Sequence, residues 1–292
     1  YFHYLEWVSY TCLGFLLFML ACFFIADSFS VINKLVYLMK RNKFIKVEKK
    51  KAQINLQRRS FLYFISVGFA AILTGISFFN ARRIPEVKKV FVPIPNLHPD
   101  LKEFNIVQLT DFHIGQTIGL DFVEGVVSRV NGLNPDVIVI TGDLIDGFVD
   151  QLKDWVAPLG TLKAKYGIYY VTGNHEYYWD AVGWIEFMKS IGCVYLENSN
   201  KTLEIGKAKV IIAGLTDLSA GKFNEKDKMD PGKSLEGASL NANLKILLAH
   251  QTNSAFGAAK LNFYDLQISG HTHGGQMWPA TWLIRFIQPF HP

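Results

Sequence analysis

An α/β domain carried behind two apolar helices is the architecture this sequence predicts, and three observations predict it. Residues 7–26 and 60–81 each run without a charged residue, over about the 20 positions an α-helix needs to cross a bilayer. Beyond residue 103, short β-rich runs alternate with stretches of helical spacing, as in α/β domains. Between the two regimes, residues 82–103 carry Pro85, Pro93, Pro95 and Pro99, the composition of a linker.

In chain order, the first membrane helix is expected over 1–27, where Ser9, Thr11 and Gly14 dilute the apolar signal, and the second over 60–81. A buried core helix is the competing reading of each run. Residues 28–59 form a basic loop: Lys34, Lys40, Arg41, Lys43 and six further Lys/Arg are opposed only by Glu48. Short loops rich in Lys and Arg stay on the cytoplasmic side. The second helix then sends the chain outward and leaves the large domain on the periplasmic or extracellular face. Arg82, Arg83, Lys88 and Lys89 pull the other way, four against ten. Lying on anionic lipid suits the same loop. "RRSFL" at 58–62 resembles a twin-arginine export signal, but a membrane-length run precedes it, so positive flanking residues explain it better.

The large domain is expected over 104–292. "FNIVQLT" (104–110), "DVIVIT" (136–141), "GIYYVTG" (167–173), "KVIIAGL" (209–215), "LKILLAH" (244–250) and "LQISG" (266–270) have the β-branched, apolar character of buried strands. "LDFVEGVVSRVN" (120–131) and "AVGWIEFMKSI" (181–191) have helical spacing, and 219–239 is polar enough for a surface loop. Both chain ends look internal to a longer protein: the chain begins at Tyr1 inside an apolar run and stops in "LIRFIQPFHP". Cys12, Cys22 and Cys193 form no disulfide framework.

Metal-binding residue types fall just after the predicted strands. Asp111 and His113 follow the first, Asp143 the second, and Asn174, His175 and Glu176 the third. His250 ends a fourth, and His271 and His273 follow a fifth. In open α/β sheets, ligands bind outside the carboxyl ends of strands. Taken singly, each Asp suits a cap or turn and each His a satisfied core partner. Together they would be costly to bury unless a cation binds them. Imidazole nitrogen with carboxylate and amide oxygen, and no thiolate, suits Mn, Fe or Zn. There are too many ligands for one ion, and two ions about 3.5–4 Å apart are a known device for phosphoryl displacement.

The order DxH, GD, GNHE, H, GHxH resembles the calcineurin-like metallophosphoesterase superfamily, across residues 111–273. With "GHTHGGQ" and membrane helices in front, it is most similar to the bacterial membrane-associated branch that includes UDP-diacylglucosamine hydrolases. The resemblance implies a four-layer αββα sandwich behind the two transmembrane helices. It implies a metal site of Asp111, His113 and His273, a second of Asn174, His250 and His271, and Asp143 bridging both. It places His175 near the scissile phosphate, to stabilise charge or protonate the leaving oxygen. Glu176 either orients His175 or is a helix-start carboxylate. Gly270, Gly274 and Gly275 would let the backbone turn and substrate approach. Two divalent cations would activate water and neutralise phosphoryl charge. There is no GxSxG elbow and no Walker-type loop.

Charge bears on substrate. Residues 1–90 carry fourteen Lys/Arg against four Asp/Glu, and residues 91–292 sixteen against twenty-one. The acidic large domain argues against nucleic acid as a partner. A lipid bilayer and a phosphodiester or pyrophosphate, lipid-linked or from the cell envelope, are the partners expected. Trp278, Trp282, Leu283, Ile284, Phe286 and Ile287 follow the last metal motif, and would rest on the bilayer or line an acyl-chain groove; core packing is the alternative. A phosphodiesterase or monoesterase of soluble substrates, tethered to the membrane, is the rival of the same chemistry. A non-catalytic membrane scaffold is the rival of another class, disfavoured because it has no need for His175 or a second metal site.

Overall fold

The computed structural model describes residues 2–41, 56–276 and 280–290. It divides into two compact units, Tyr1–Arg83 and Ile84–Pro292. The first holds α1 (Phe2–Arg41) and α2 (Leu56–Ala81). Within them Trp7–Met39 and Ser60–Ala81, of mean hydropathy 2.3 and 2.0, are long and apolar enough to cross a membrane. The helices run antiparallel: Trp7 meets Phe78 at 5.3 Å and Phe23 meets Tyr63 at 4.9 Å between ring centroids. α1 does not stop near residue 27, as its sequence led us to expect. Residues 28–41 contain no Gly or Pro and include Leu, Met, Lys and Arg, which are good helix formers. The basic stretch therefore begins on the helix. At 1.5 Å per residue, a helix of this length is about 60 Å long and overshoots a hydrocarbon core of about 30 Å. The charges of residues 42–55 lie outside the described residues.

The second unit opens with Arg129 holding its first residues, donating to the carbonyls of Ile84 and Pro85 at 3.2 and 2.6 Å. Its first sheet contains β1 (Ile106–Leu109), β2 (Val137–Thr141), β3 (Ile168–Val171) and β4 (Val194–Tyr195), parallel and in that order. The helices between them are α3 (Leu120–Asn131), α4 (Val149–Val156), α5 (Asn174–Trp179) and α6 (Ala181–Ser190). The second sheet runs β5 (Ser199–Ile205), β6 (Ala208–Gly214), β7 (Leu244–Leu248) and β8 (Leu266–Ile268). β5 and β6 form an antiparallel hairpin whose turn is made by Gly206 at φ 59°; the remaining pairs are parallel. α7 (Ala220–Phe223), α8 (Ala255–Ala258) and α9 (Ala280–Ile287) follow in the second half.

Side chains alternate along β2, and that alternation builds the layers. Ile138 and Ile140 face Val126, Val130, Leu152, Trp184 and Met188, which come from α3, α4 and α6. Val137 and Val139 face the other way and pack with Val210, Ile212, Ile246 and Leu248 of the second sheet. The outer face of that sheet packs Ile211, Ala213 and Leu247 against Ala258 and partly buried Phe263 and Tyr264. The result is the expected αββα arrangement. All six expected strand runs contain a strand. β4 and β5 were not expected, since β4 is two residues long and β5 is a half-exposed polar edge. The polar stretch 219–239 includes α7 and two 3-10 turns, Glu225–Asp227 and Lys233–Leu235.

Candidate metal centre

Five strand ends deliver the candidate residues. β1 leads into Asp111 and His113, β2 into Asp143, β3 into Asn174 at the start of α5, β7 into His250, and β8 into His271 and His273. Five of these hold left-handed backbone: Asp111 (φ 56°), His113 (49°), Asp143 (50°), His271 (73°) and His273 (48°). Each such non-glycine residue costs on the order of 1–3 kcal/mol, a strain that collects at functional sites. Close approach demands glycine beside them. A Cβ on Gly173 would run into Asp143, and one on Gly270 into Asp111 and Thr110.

Among the described residues the side chains form three groups of potential ligands: Asp111, His113 and His273; Asp143, His250 and His271; and His113, Asp146 and His175, which shares His113 with the first. In the first, His273 Nε2 lies 3.3 Å from Asp111 Oδ1 and 3.1 Å from His113 Nε2. In the second, His250 Nε2 lies 3.1 Å from Asp143 Oδ2, 3.1 Å from His271 Nδ1 and 3.2 Å from Asn174 Oδ1. Asp143 Oδ2 is also 4.0 Å from His113 Nε2 and 3.9 Å from His175 Nε2, and so stands between the groups. Ligands about 2.1 Å from one ion, at tetrahedral or octahedral angles, are roughly 3–3.4 Å apart. Donor atoms at that spacing fit divalent cations.

A second layer aims these groups. His250 Nδ1 is bonded to the Thr141 carbonyl at 2.8 Å, which leaves Nε2 for the centre. Asp111 accepts the Thr110 hydroxyl at 2.6 Å and the His271 N–H at 2.9 Å. Glu176 directs its carboxylate at backbone donors, not at the His175 ring. Its carboxylate is fully buried and accepts the backbone N–H groups of Gly173 (2.7 Å), Asp143 (3.0 Å) and Leu144 (2.8 Å), joining two strand-end turns. Of its two readings, the helix-start carboxylate describes this geometry. The partner of His175 is Asp146, which bonds its Nδ1 and lies 3.2 Å from His113 Nδ1. Sequence reasoning missed Asp146. The available signal was a second carboxylate three residues beyond Asp143 on the same strand-end turn.

Electrostatics follow from these contacts. Burial would raise the Asp143 and Asp146 pKa values, but hydrogen bonds and charge from His250 and His175, and from His113 and His175, hold them low. The bond to Asp146 raises the His175 pKa against its burial. Burial would lower that of His250, yet Asp143 lifts it to about 9. His271 and His273 are lowered by burial and by neighbouring imidazoles.

Residues 104–275 match the family model described as "Calcineurin-like phosphoesterase". A "Transmembrane protein with metallophosphoesterase domain" of Danio rerio is 35% identical over 294 aligned positions, 99% of this chain and 65% of its own length. An "Uncharacterized metallophosphoesterase" of Campylobacter jejuni is 38% identical, over 72% of this chain and 54% of its own. The chain thus spans about half to two thirds of these relatives. Among solved structures, the NAD nucleotidase of Haemophilus influenzae overlays with a TM-score of 0.44 at 19% identity, over 58% of this chain and 38% of its own.

Proposed function

The chain belongs to the calcineurin-like phosphoesterase family, and from that membership we propose that its second unit hydrolyses a phosphodiester or pyrophosphate bond. Asp111, His113 and His273 would hold one divalent cation, Asn174, His250 and His271 another, with Asp143 shared between them. Manganese, iron or zinc suits this donor set. When bound, the cations supply Lewis acidity toward the phosphoryl group and make water a stronger acid near neutral pH. With Nδ1 committed to Asp146, His175 turns Nε2 toward the centre, 3.9 Å from Asp143 Oδ2. From there it passes a proton to the leaving oxygen or offsets charge developing on the phosphoryl oxygens. Thr141, Glu176 and Thr110 hold the ligands and their turns still.

Two helices of membrane length and an acidic residue balance over 91–292 support a lipid or cell-envelope substrate over nucleic acid. The Lys/Arg-rich stretch between those helices supports a catalytic unit, from residue 104 onward, on the outer face, joined by a linker over 82–103. The observation that carries the reading is Asp143, 3.1 Å from His250 Nε2 and 4.0 Å from His113 Nε2, between two imidazole groups. Protein supplemented with Mn²⁺ is expected to hydrolyse bis-p-nitrophenyl phosphate and to lose that activity to EDTA. His175→Ala is expected to slow it about 100-fold or more, and Asp143→Ala to abolish it. Metal-loaded protein inert on phosphodiesters, phosphomonoesters and pyrophosphates would overturn the reading.

A further inference from the structure

Beside His175 the surface turns aromatic. The Tyr178 ring lies 5.1 Å from the His175 imidazole, and Phe223, at the end of α7, lies 5.8 Å beyond Tyr178. One residue further along α5, Trp179 meets Phe148 edge-on at 5.4 Å. Tyr178 is 55% exposed, Phe223 52%, Phe148 47% and Trp179 39%, so four rings leave apolar area in water, one of them against His175 and two others close in sequence to Asp146 and His175.

The backbone beneath them is tied down. Fully buried Trp184 donates its indole N–H to the Gly147 carbonyl at 2.9 Å, fixing the turn that presents Phe148. The Phe148 carbonyl accepts from Gln151 and Leu152 N–H at 3.0 and 3.2 Å. Tyr177, buried under the rim, stacks on Phe223 at 6.0 Å and shares a hydrogen bond with the Thr172 hydroxyl at 3.1 Å. Exposed rings on a fixed backbone lose little entropy when covered, which makes them effective recognition surfaces.

Resting on the phosphoesterase reading, we propose that Phe148, Tyr178, Trp179 and Phe223 form a hydrocarbon subsite that seats the apolar ester substituent of the substrate. Continuity selects this occupant over a separate protein partner, because the rim begins on the ring of His175, where the phosphoryl group is handled. Chemistry selects hydrocarbon over a polyanionic substituent, because none of the four side chains carries positive charge.

The test uses the full chain in detergent, loaded with Mn²⁺. Its substrates are p-nitrophenyl methyl phosphate and p-nitrophenyl hexyl phosphate, which share a leaving group and a charge. Partial burial of the longer chain is expected to raise kcat/KM about tenfold or more over the methyl ester. Trp179→Ala and Phe223→Ala bring that ratio toward one, while Phe223→Trp retains it; metal content and Tm identify any variant that fails to fold. A wild-type ratio near one overturns the subsite, as does a ratio unchanged in folded alanine variants. Absence of hydrolysis of both esters by the metal-loaded wild type is a different result and removes the phosphodiesterase reading on which the subsite rests.

Discussion

The Nε2 atoms of His113 and His273, 160 positions apart in the chain, stand 3.1 Å from one another. Asp111 Oδ1 lies 3.3 Å from the second of them. At this distance two protonated imidazoles repel, and two neutral ones are held only by the tautomer that sets one N–H against the other's lone pair. A divalent cation at their meeting point satisfies all three groups. Metal is therefore expected to raise the Tm of the second unit. At a concentration a hundredfold above Kd, linkage adds about 2.7 kcal/mol, which is roughly 5–10 °C for a unit of this size. His273→Ala should lose most of that gain. Loading should also release a proton near neutral pH. Asp143 lifts His250 to about 9 against its burial, and a ligating imidazole must be neutral. Calorimetry in buffers of unequal ionisation enthalpy reads that proton, and a Tm indifferent to metal would remove the ions from the site.

Asp146→Asn isolates the His175 partnership. The carboxylate raises the His175 pKa, so the imidazole keeps its charge to higher pH than a free histidine does. If protonated His175 assists the leaving group, activity falls as pH rises through that elevated value. Replacing Asp146 by Asn lowers the pKa, and the alkaline limb of the rate profile should move to lower pH. Asp146 also lies 3.2 Å from His113 Nδ1, so metal content is measured alongside. An alkaline limb that stays in place with metal retained would show that His175 is not the titrating acid.

Hydrophobic periodicity made most of this fold legible. β2 (VIVIT) and β7 (LKILL) are dominated by Val, Ile and Leu buried between other layers, and such runs announce themselves. The strand-end residues were legible for a related reason: polar ligand types directly after apolar runs are conspicuous. β5 was not, because an edge strand such as "SNKTLEI" carries polar residues on its open side. The end of α1 was misplaced because charge marks where a membrane stops, not where a helix stops. Asp146 was missed, and the two readings of Glu176 stayed open, because sequence proximity does not give direction. Glu176 adjoins His175 in the chain but points back into the sheet ends. Asp146, twenty-nine positions from His175, turns toward it.

Glu176→Gln should weaken the centre without touching a ligand. The carboxylate accepts three backbone N–H groups from the turns after β2 and β3, and it is fully buried. A glutamine keeps the shape but sets an amide N–H₂ against at least one of those donors. Leaving a buried donor unmatched costs about 1–3 kcal/mol. Since Asp143 is itself one of the residues held, metal affinity should fall with stability. Denaturant titration and metal titration on the same variant measure both. A variant as stable as wild type, with metal binding intact, would show that the turns hold themselves.

The amphipathic α9 offers a separate apolar surface. Trp282, Leu283, Phe286 and Ile287 are 56%, 43%, 73% and 71% exposed, a concentration of apolar surface on eight residues. Trp278, which belongs to the same stretch of sequence, lies outside the described residues. Apolar patches of this kind mark contact with a membrane or another protein, and a chain with two helices of membrane length has a bilayer within reach. If α9 rests in the interface, Trp282 sits at headgroup depth, where tryptophan is favoured. In proteoliposomes of brominated lipid, the wild type should then show a quenched emission component that Trp282→Phe lacks. Phe286→Ala should reduce that quenching by loosening the helix from the surface. Emission from Trp282 that is untouched by brominated acyl chains would assign the patch to protein packing instead.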